Sequence, residues 1–234
     1  MREGQALNVM ERGVTADDLP DDSNAVDQML TQARTVVLVI DVQHDFTRSV
    51  GVLGSEGRDT DHCRKIVPSI DRFLSVARMR RTPIVFTQMV ADPESTSGAD
   101  QLMRAESGRG HRVACSAGSW GAELDSELSV SPEDRIVTKH RFSGFIGTEL
   151  HSILEELRCE AILICGLTTD VCVDATARHA FMLDYHVVVL SDLTAALDEE
   201  SERHALSIMR KHFAHIRTSG DVESIWKKHD DQHH

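Results

Sequence analysis

The residue with the clearest chemical potential is Cys172, in the segment Gly166-Leu167-Thr168-Thr169-Asp170-Val171-Cys172. An apolar strand is predicted to break at Gly166 and a helix to begin a few residues later, so Cys172 falls in the first helical turn. Unpaired N–H groups and the helix dipole stabilise a thiolate there, and the same N–H groups can bind an oxyanion. The pattern favours a nucleophilic thiol. The alternative is a small residue that only packs the helix start.

Two charged residues end other apolar segments. Asp41 follows Val37-Leu38-Val39-Ile40, and Lys139 ends Arg135-Ile136-Val137-Thr138. A nucleophilic thiol needs a base to receive its proton, and Asp41 is the best-placed candidate. An ammonium between the carboxylate and the thiol would hold both in their ionised forms. The alternatives are a turn-capping aspartate and a solvated lysine.

These residues require a scaffold that brings the ends of separate strands to one edge. Short apolar runs alternate with amphipathic helical patterns, which predicts a parallel sheet covered by helices on both faces. The strands are predicted at residues 36–41, 83–88, 135–139, 161–165, 186–190 and 215–218. We therefore predict an α/β fold, a doubly wound three-layer α/β/α sandwich with a six-stranded, mainly parallel sheet.

The chain is predicted to contain one hydrolase-sized domain, residues 35–234, preceded by a polar N-terminal arm, residues 1–34. The long segment 89–134, which contains Trp120, exceeds the usual connection in α/β proteins. Such a segment beside the carboxyl ends of the strands is expected to wall a substrate pocket.

Composition excludes several classes of function. The formal net charge of −13 disfavours nucleic acid and anionic lipid as partners. The longest apolar runs are too short to span a bilayer, and the acidic N-terminus lacks the features of a signal peptide, so we expect a cytoplasmic protein without membrane contact. The five cysteines and thirteen histidines show neither disulfide nor metal-ligand spacing, so no metal and no cofactor are predicted.

Three motifs carry a resemblance to a known family. Asp41-Val42-Gln43-His44-Asp45-Phe46, Lys139-His140-Arg141-Phe142-Ser143-Gly144-Phe145 and the segment ending at Cys172 resemble the isochorismatase-like hydrolases. The resemblance extends from about residue 35 to residue 226. It implies an Asp-Lys-Cys triad at Asp41, Lys139 and Cys172, a cis peptide between Leu167 and Thr168, and an oxyanion hole formed by the Thr168 and Cys172 N–H groups. Family members are usually dimers or tetramers, so the resemblance also implies a homodimer or homotetramer.

The resemblance also indicates a subgroup. Isochorismatase proper cleaves a vinyl ether and lacks the cysteine, and nicotinamidases carry an Asp-x-His metal motif where this chain has Gln88-Met89-Val90-Ala91. Residues 139–150 look closest to the ureidoacrylate, biuret and N-carbamoylsarcosine amidohydrolases. The predicted partner is therefore a small amide or ureido substrate. Vinyl ether hydrolysis and a non-catalytic binding module remain the alternatives.

Four further residues are candidates for substrate binding. Arg141 can hold a carboxylate in bidentate fashion, and Phe46, Trp120 and Phe145 can supply apolar walls. The alternatives are a structurally paired arginine and ordinary core aromatics.

Overall fold

A six-stranded, wholly parallel sheet forms the centre of the molecule. In this computed structural model, residues 22–32, 34–95, 97–106 and 113–232 are described. The strand order is β3-β2-β1-β4-β5-β6. The strands are β1 (Thr35–Ile40), β2 (Ile84–Met89), β3 (Arg135–Lys139), β4 (Ala161–Leu167), β5 (His186–Ala195) and β6 (His215–Arg217). The predicted doubly wound α/β sheet is confirmed.

Helices connect the strands and cover the sheet. They are α1 (Asp22–Gln32), α2 (His44–Thr47), α3 (Val52–Ser55), α4 (Asp61–Lys65), α5 (Val67–Met79), α6 (Gly98–Glu106), α7 (Leu150–Glu156), α8 (Asp174–Met182), α9 (Glu199–His212) and α10 (Ser219–Gln232). A 3₁₀ turn occupies Trp120–Ala122 and a π-helical turn occupies Thr169–Val173. Within the described ranges, each helix is too short or too polar to cross a lipid bilayer.

Two apolar clusters occupy opposite faces of the sheet because side chains alternate along each strand. Val37 and Cys165 belong to the cluster packed by α5 and α10, whereas Leu38 and Ile164 belong to the cluster packed by α7, α8 and α9. Strand order changes direction between β1 and β4, and in doubly wound sheets ligands bind at this point, beyond the carboxyl ends of the strands.

Gly166 does not break its strand, so this prediction was wrong. β4 continues to Leu167, and its register with β5 shifts between Ile164 and Gly166. Gly166 has φ +112°, and a Cβ added there would lie 2.1 Å from the carbonyl oxygen of Ile40. Glycine therefore permits β4 to remain against β1 at this irregularity, whose extra residues lie on β5: the pairing moves from Val189 to Thr194 while β4 advances from Ile164 to Gly166.

Gly166→Ala is expected to lower the free energy of unfolding by more than about 2 kcal/mol, because the new Cβ meets backbone and the φ is unfavourable for alanine. Gly147→Ala is the matched control, since Gly147 also has a positive φ but no atom within 4 Å of the added Cβ. We expect that variant to lose about 1 kcal/mol. Urea denaturation of both proteins measures the difference, and equal losses would contradict the close approach.

The amino-terminal segment contributes one helix to the described structure. Residues 1–21 of the predicted arm lie outside the described residues. Val26 and Leu30 of α1 are buried in the α5/α10 cluster, and Trp226 Nε1 donates a hydrogen bond to the Leu30 carbonyl at 3.2 Å. At least this part of the arm packs on its own domain, while the boundary at residue 35 stays a prediction.

Candidate active site

Asp41, Lys139 and Cys172 meet at the carboxyl edge of the sheet. Lys139 Nζ lies 2.7 Å from Asp41 Oδ2 and donates a hydrogen bond to Cys172 Sγ at 3.4 Å. Asp41 and Lys139 are fully buried, and Cys172 is 5% exposed. One ammonium thus joins a carboxylate and a thiol from three separate parts of the chain.

Asp41 is positioned by the turn that follows β1. Its φ of +48° lies in the left-handed region, which Asp tolerates better than most residues, and it turns the chain as it leaves the sheet. Thr87 on β2 donates a hydrogen bond from Oγ1 to Asp41 Oδ1 at 2.7 Å. The second carboxylate oxygen is the one paired with Lys139, so the carboxylate is held from two sides.

Lys139 is held by backbone as well as by charge. Its Nζ also donates to the carbonyl oxygens of Arg141 at 2.9 Å and Phe142 at 3.0 Å. Burial by itself lowers the pKa of Lys139, but the Asp41 charge and the hydrogen bonds to Asp41 and Cys172 outweigh it, and the pKa is raised above its ordinary value. The side chain therefore stays protonated at neutral pH.

Cys172 lies in the π-helical turn that leads into α8. The Thr168 carbonyl accepts hydrogen bonds from Val171 N and Val173 N, both at 3.1 Å, and the second of these spans five residues. The peptide bond between Leu167 and Thr168 is cis. The Cys172 side chain belongs to the α7/α8/α9 cluster and contacts Lys139 at the sheet edge.

The surroundings of Cys172 disfavour the charged form of its side chain. Burial, and next the Asp41 carboxylate, raise the pKa of Cys172 above its usual range, although Lys139 opposes them. A second anion would leave the buried cluster with a net negative charge, whereas a thiol beside one carboxylate and one ammonium leaves it neutral. The direction of this pKa shift opposes the predicted resting thiolate, which stays a prediction.

Alkylation of Cys172 by iodoacetamide is expected to be slow at pH 7 and still rising at about pH 9, because only the thiolate reacts and its pKa is raised. Lys139→Met removes the charge that lowers this pKa, so the curve is expected to move further toward alkaline pH. Mass spectrometry of the Cys172 peptide measures the rate against pH. A plateau below pH 8 would contradict the raised pKa.

Thr176 is a residue that the sequence analysis missed. It lies one helical turn after Cys172 and is fully buried. Its Oγ1 accepts a hydrogen bond from Gly144 N at 3.0 Å and donates to the Phe142 carbonyl at 3.5 Å, the carbonyl that also binds Lys139. Thr176 thus ties the helix that carries the thiol to the loop that holds the ammonium.

Thr176→Val is expected to lower the free energy of unfolding by about 1–3 kcal/mol, because the buried Gly144 N–H loses its acceptor. Thr176→Ser, which retains the hydroxyl, is expected to lose less. Thr194→Val is the matched control, since the Thr194 hydroxyl is buried with no hydrogen-bond partner among the described residues. Chemical denaturation tests the series. If Thr194→Val lowered the free energy of unfolding as much as Thr176→Val, the hydrogen bonds of Thr176 would not be the cause of the loss.

Two polar residues of the first motif anchor the long segment 89–134. Gln43 Nε2 donates to the carbonyls of Met89 at 2.8 Å and Ala122 at 2.6 Å, and its Oε1 accepts from Met89 N at 2.8 Å. Asp45 accepts from Val52 N at 2.7 Å and from Cys115 N at 2.6 Å. The segment therefore leaves and rejoins the domain at fixed points.

A cavity of about 340 Å³ lies beside the Lys139 ammonium. Met89, Arg141 and Phe142 line it, and each also contacts Lys139 Nζ, Met89 through its sulfur at 3.8 Å. Arg141 Nη1 donates to the carbonyls of Ser95 at 2.6 Å and His140 at 2.7 Å. Arg141 is the substrate-binding candidate that the structure brings to this cavity.

The three aromatic candidates lie elsewhere. Trp120 stacks on His44, with ring centroids 4.2 Å apart, and lines a second cavity beside Asp45. Phe46 packs against the α5/α10 cluster, and Phe145 is buried in the α7/α8/α9 cluster. Neither cavity has Asp41, Lys139 or Cys172 among its lining residues, but Met89, Arg141 and Phe142 of the first cavity contact Lys139 Nζ, so that cavity is the one that borders the site.

In the part of the chain that the structure describes, no group of three or more His, Cys, Asp or Glu side chains is placed to hold a metal ion.

Residues 35–221 match the family model of the isochorismatase domain. This chain belongs to the isochorismatase family. The match covers the sheet and all three clustered residues, so the predicted family resemblance is confirmed, and with it the prediction that the protein is an enzyme of the hydrolase class.

Comparison with individual relatives narrows the position of this chain within the isochorismatase family. It is 30% identical over 205 residues to a ureidoacrylate amidohydrolase, RutB, of Caulobacter segnis, covering 82% of this chain and 85% of the relative. An N-carbamoylsarcosine amidase structure from Thermoplasma acidophilum has a TM-score of 0.64 and 26% identity, covering 79% and 96% of the two chains. A cysteine hydrolase from Pseudomonas syringae pv. phaseolicola has a TM-score of 0.73, 24% identity and coverage of 84% and 93%, and this supports the fold. The chain therefore lies in the amidohydrolase branch of the family.

Proposed function

We propose that this protein is a cysteine-dependent amidohydrolase that cleaves a C–N bond of a small amide, carbamoyl or ureido compound and releases ammonia. The observation that carries the proposal is the contact of the Lys139 ammonium with both Asp41 and Cys172. The relatives named as ureidoacrylate amidohydrolase and N-carbamoylsarcosine amidase support the same reaction class. Ureidoacrylate, biuret and N-carbamoyl amino acids are the proposed substrate types.

The first half-reaction forms a covalent intermediate. Asp41 accepts the proton of the Cys172 thiol, and the sulfur attacks the carbonyl or carbamoyl carbon. The N–H groups of Thr168 and Cys172 stabilise the oxyanion in this proposal. The tetrahedral intermediate then expels ammonia, which takes the proton from Asp41, and a thioester or thiocarbamate remains.

The second half-reaction restores the thiol. Asp41 removes a proton from water, the resulting hydroxide attacks the thioester or thiocarbamate carbon, and the acid or carbamate leaves as the sulfur recovers a proton. Lys139 keeps its positive charge throughout because its raised pKa holds the proton. In this scheme Lys139 orients the carboxylate and stabilises the thiolate only when it forms.

Substrate binding is assigned to the cavity beside Lys139. Arg141 lines that cavity and is proposed to hold a substrate carboxylate. Roles for Phe46, Trp120 and Phe145 in binding stay predictions, as do the cytoplasmic location and the homodimer or homotetramer.

An ammonia-release screen tests the proposed function. The panel is ureidoacrylate, biuret, N-carbamoyl amino acids, maleamate and nicotinamide, with folding confirmed by circular dichroism. Ammonia from at least one linear amide or ureide is the expected result. A folded protein that releases none from the whole panel would favour the non-catalytic binding module.

A further inference from the structure

The cavity beside Lys139 has mostly apolar walls. Side chains of methionine, alanine, valine and phenylalanine line it, namely Met89, Ala91, Ala99, Met103, Val113 and Phe142. Its charged or polar groups come from Ser95, Ser97, Asp100, His140 and Arg141. Ligand cavities commonly combine apolar walls with few polar groups, the walls taking the body of the ligand and the polar groups orienting it.

Three of these side chains leave much apolar surface open to solvent. Met103 is 59% exposed, Phe142 48% and Val113 37%. Single exposed hydrophobic residues are common, but several around one cavity mark a surface that a ligand covers. The segments that supply them are distant in sequence, since Met103 lies on α6 and Phe142 follows β3. Their convergence on one cavity is therefore a property of the fold.

The apolar walls begin next to the reactive groups. Met89 Sδ is 3.8 Å from Lys139 Nζ, and the Phe142 carbonyl is 3.0 Å from the same atom. Lys139 Nζ in turn lies 3.4 Å from Cys172 Sγ. Met89 makes this contact with its side chain, whereas Phe142 makes it with its backbone carbonyl, so a substrate whose carbonyl reaches the thiol would place its adjoining part against Met89.

We propose that the preferred substrate carries an apolar side chain next to its amide or carbamoyl group, and that this side chain occupies the cavity lined by Met89, Met103, Val113 and Phe142. The inference rests on the proposed amidohydrolase function and narrows its substrate class. Such a compound is an N-carbamoyl amino acid with an aliphatic side chain, or the amide with an equivalent alkyl chain. Each methylene buried in the cavity is expected to raise kcat/KM about fourfold.

The test compares N-carbamoylglycine, N-carbamoylalanine, N-carbamoylnorvaline and N-carbamoylnorleucine, with straight-chain primary amides of the same lengths in parallel. Ammonia release gives kcat/KM for each compound. We expect a rise of at least about 20-fold from the shortest to the longest member of the better series. A flat or falling series would overturn the proposal.

Two adjacent residues of α6 provide matched variants. Met103 lines the cavity, whereas Leu102 is 68% exposed and is not among its lining residues. Met103→Ser is expected to reduce kcat/KM about 5- to 10-fold for the longest substrate and to leave the shortest unchanged. Leu102→Ser is expected to change neither. Equal effects of the two variants would overturn the assignment of the cavity.

The outcomes distinguish failure of the apolar substrate class from failure of the amidohydrolase function. Ammonia from the unsubstituted compounds without a gain from chain length overturns the apolar substrate class and leaves the amidohydrolase function standing. Absence of ammonia from every compound, with the proteins folded, overturns both.

Discussion

Cys172→Ala is expected to reduce ammonia release from the best substrate at least a thousandfold. The proposed reaction passes through a bond between Cys172 Sγ and the substrate carbon, and neither Asp41 nor Lys139 can supply that bond. The variant should keep its fold, because the side chain lies at the edge of the apolar cluster and its replacement removes one atom. Steady-state ammonia release and circular dichroism measure the two quantities.

Cys165→Ala is the control for this experiment. Cys165 is a fully buried thiol on β4, but its side chain belongs to the cluster on the opposite face of the sheet. We expect it to lose some stability and to retain wild-type turnover. Ammonia release by Cys172→Ala at the wild-type rate would contradict the covalent mechanism. Intact turnover after alkylation of Cys172 would favour vinyl ether hydrolysis with Asp41 as proton donor.

Replacement of either member of the buried ion pair Asp41–Lys139 is expected to have the second large effect on turnover and stability. Asp41→Asn should abolish turnover, because no base remains for the thiol, and lower the free energy of unfolding by about 3–5 kcal/mol, because Lys139 keeps a charge without its partner. Lys139→Met should lower the free energy of unfolding by a similar amount, because Asp41 then keeps a buried charge without its partner. Ammonia release and urea denaturation measure the two effects.

The double variant Asp41→Asn/Lys139→Met distinguishes pairing from general disruption. Removal of both charges leaves no isolated ion in the interior, so its loss of stability is expected to be well below the sum of the single losses. Its turnover should remain absent. Additive losses would mean that the two side chains do not stabilise one another.

The approximate positions of the strands were predictable because each is a short apolar run. β5 was the exception: its predicted end, residue 190, precedes Ser191 and Asp192, where polar side chains interrupt the run. The strand continues because residues 190–193 of β5 bulge opposite Cys165, and Thr194 and Ala195 then pair again with β4. A bulge is a property of two neighbouring strands, and the pattern within one strand does not reveal it.

The cluster of Asp41, Lys139 and Cys172 was predictable in outline, because the carboxyl ends of parallel strands share one edge. The effect of burial on the thiol was not, since burial of Cys172 raises the pKa that the helix dipole was expected to lower. Thr87 and Thr176 were also missed. A threonine within an apolar strand or a helix has no distinctive signal until the fold shows its partner.

The anchoring of segment 89–134 by Gln43 and Asp45 has a consequence for redesign. Because Met89, Ala122 and Cys115 are tethered through backbone groups, side chains between those points can be exchanged without loss of the tethers. Mutant libraries confined to residues 97–106 would therefore sample new selectivities on an intact catalytic frame.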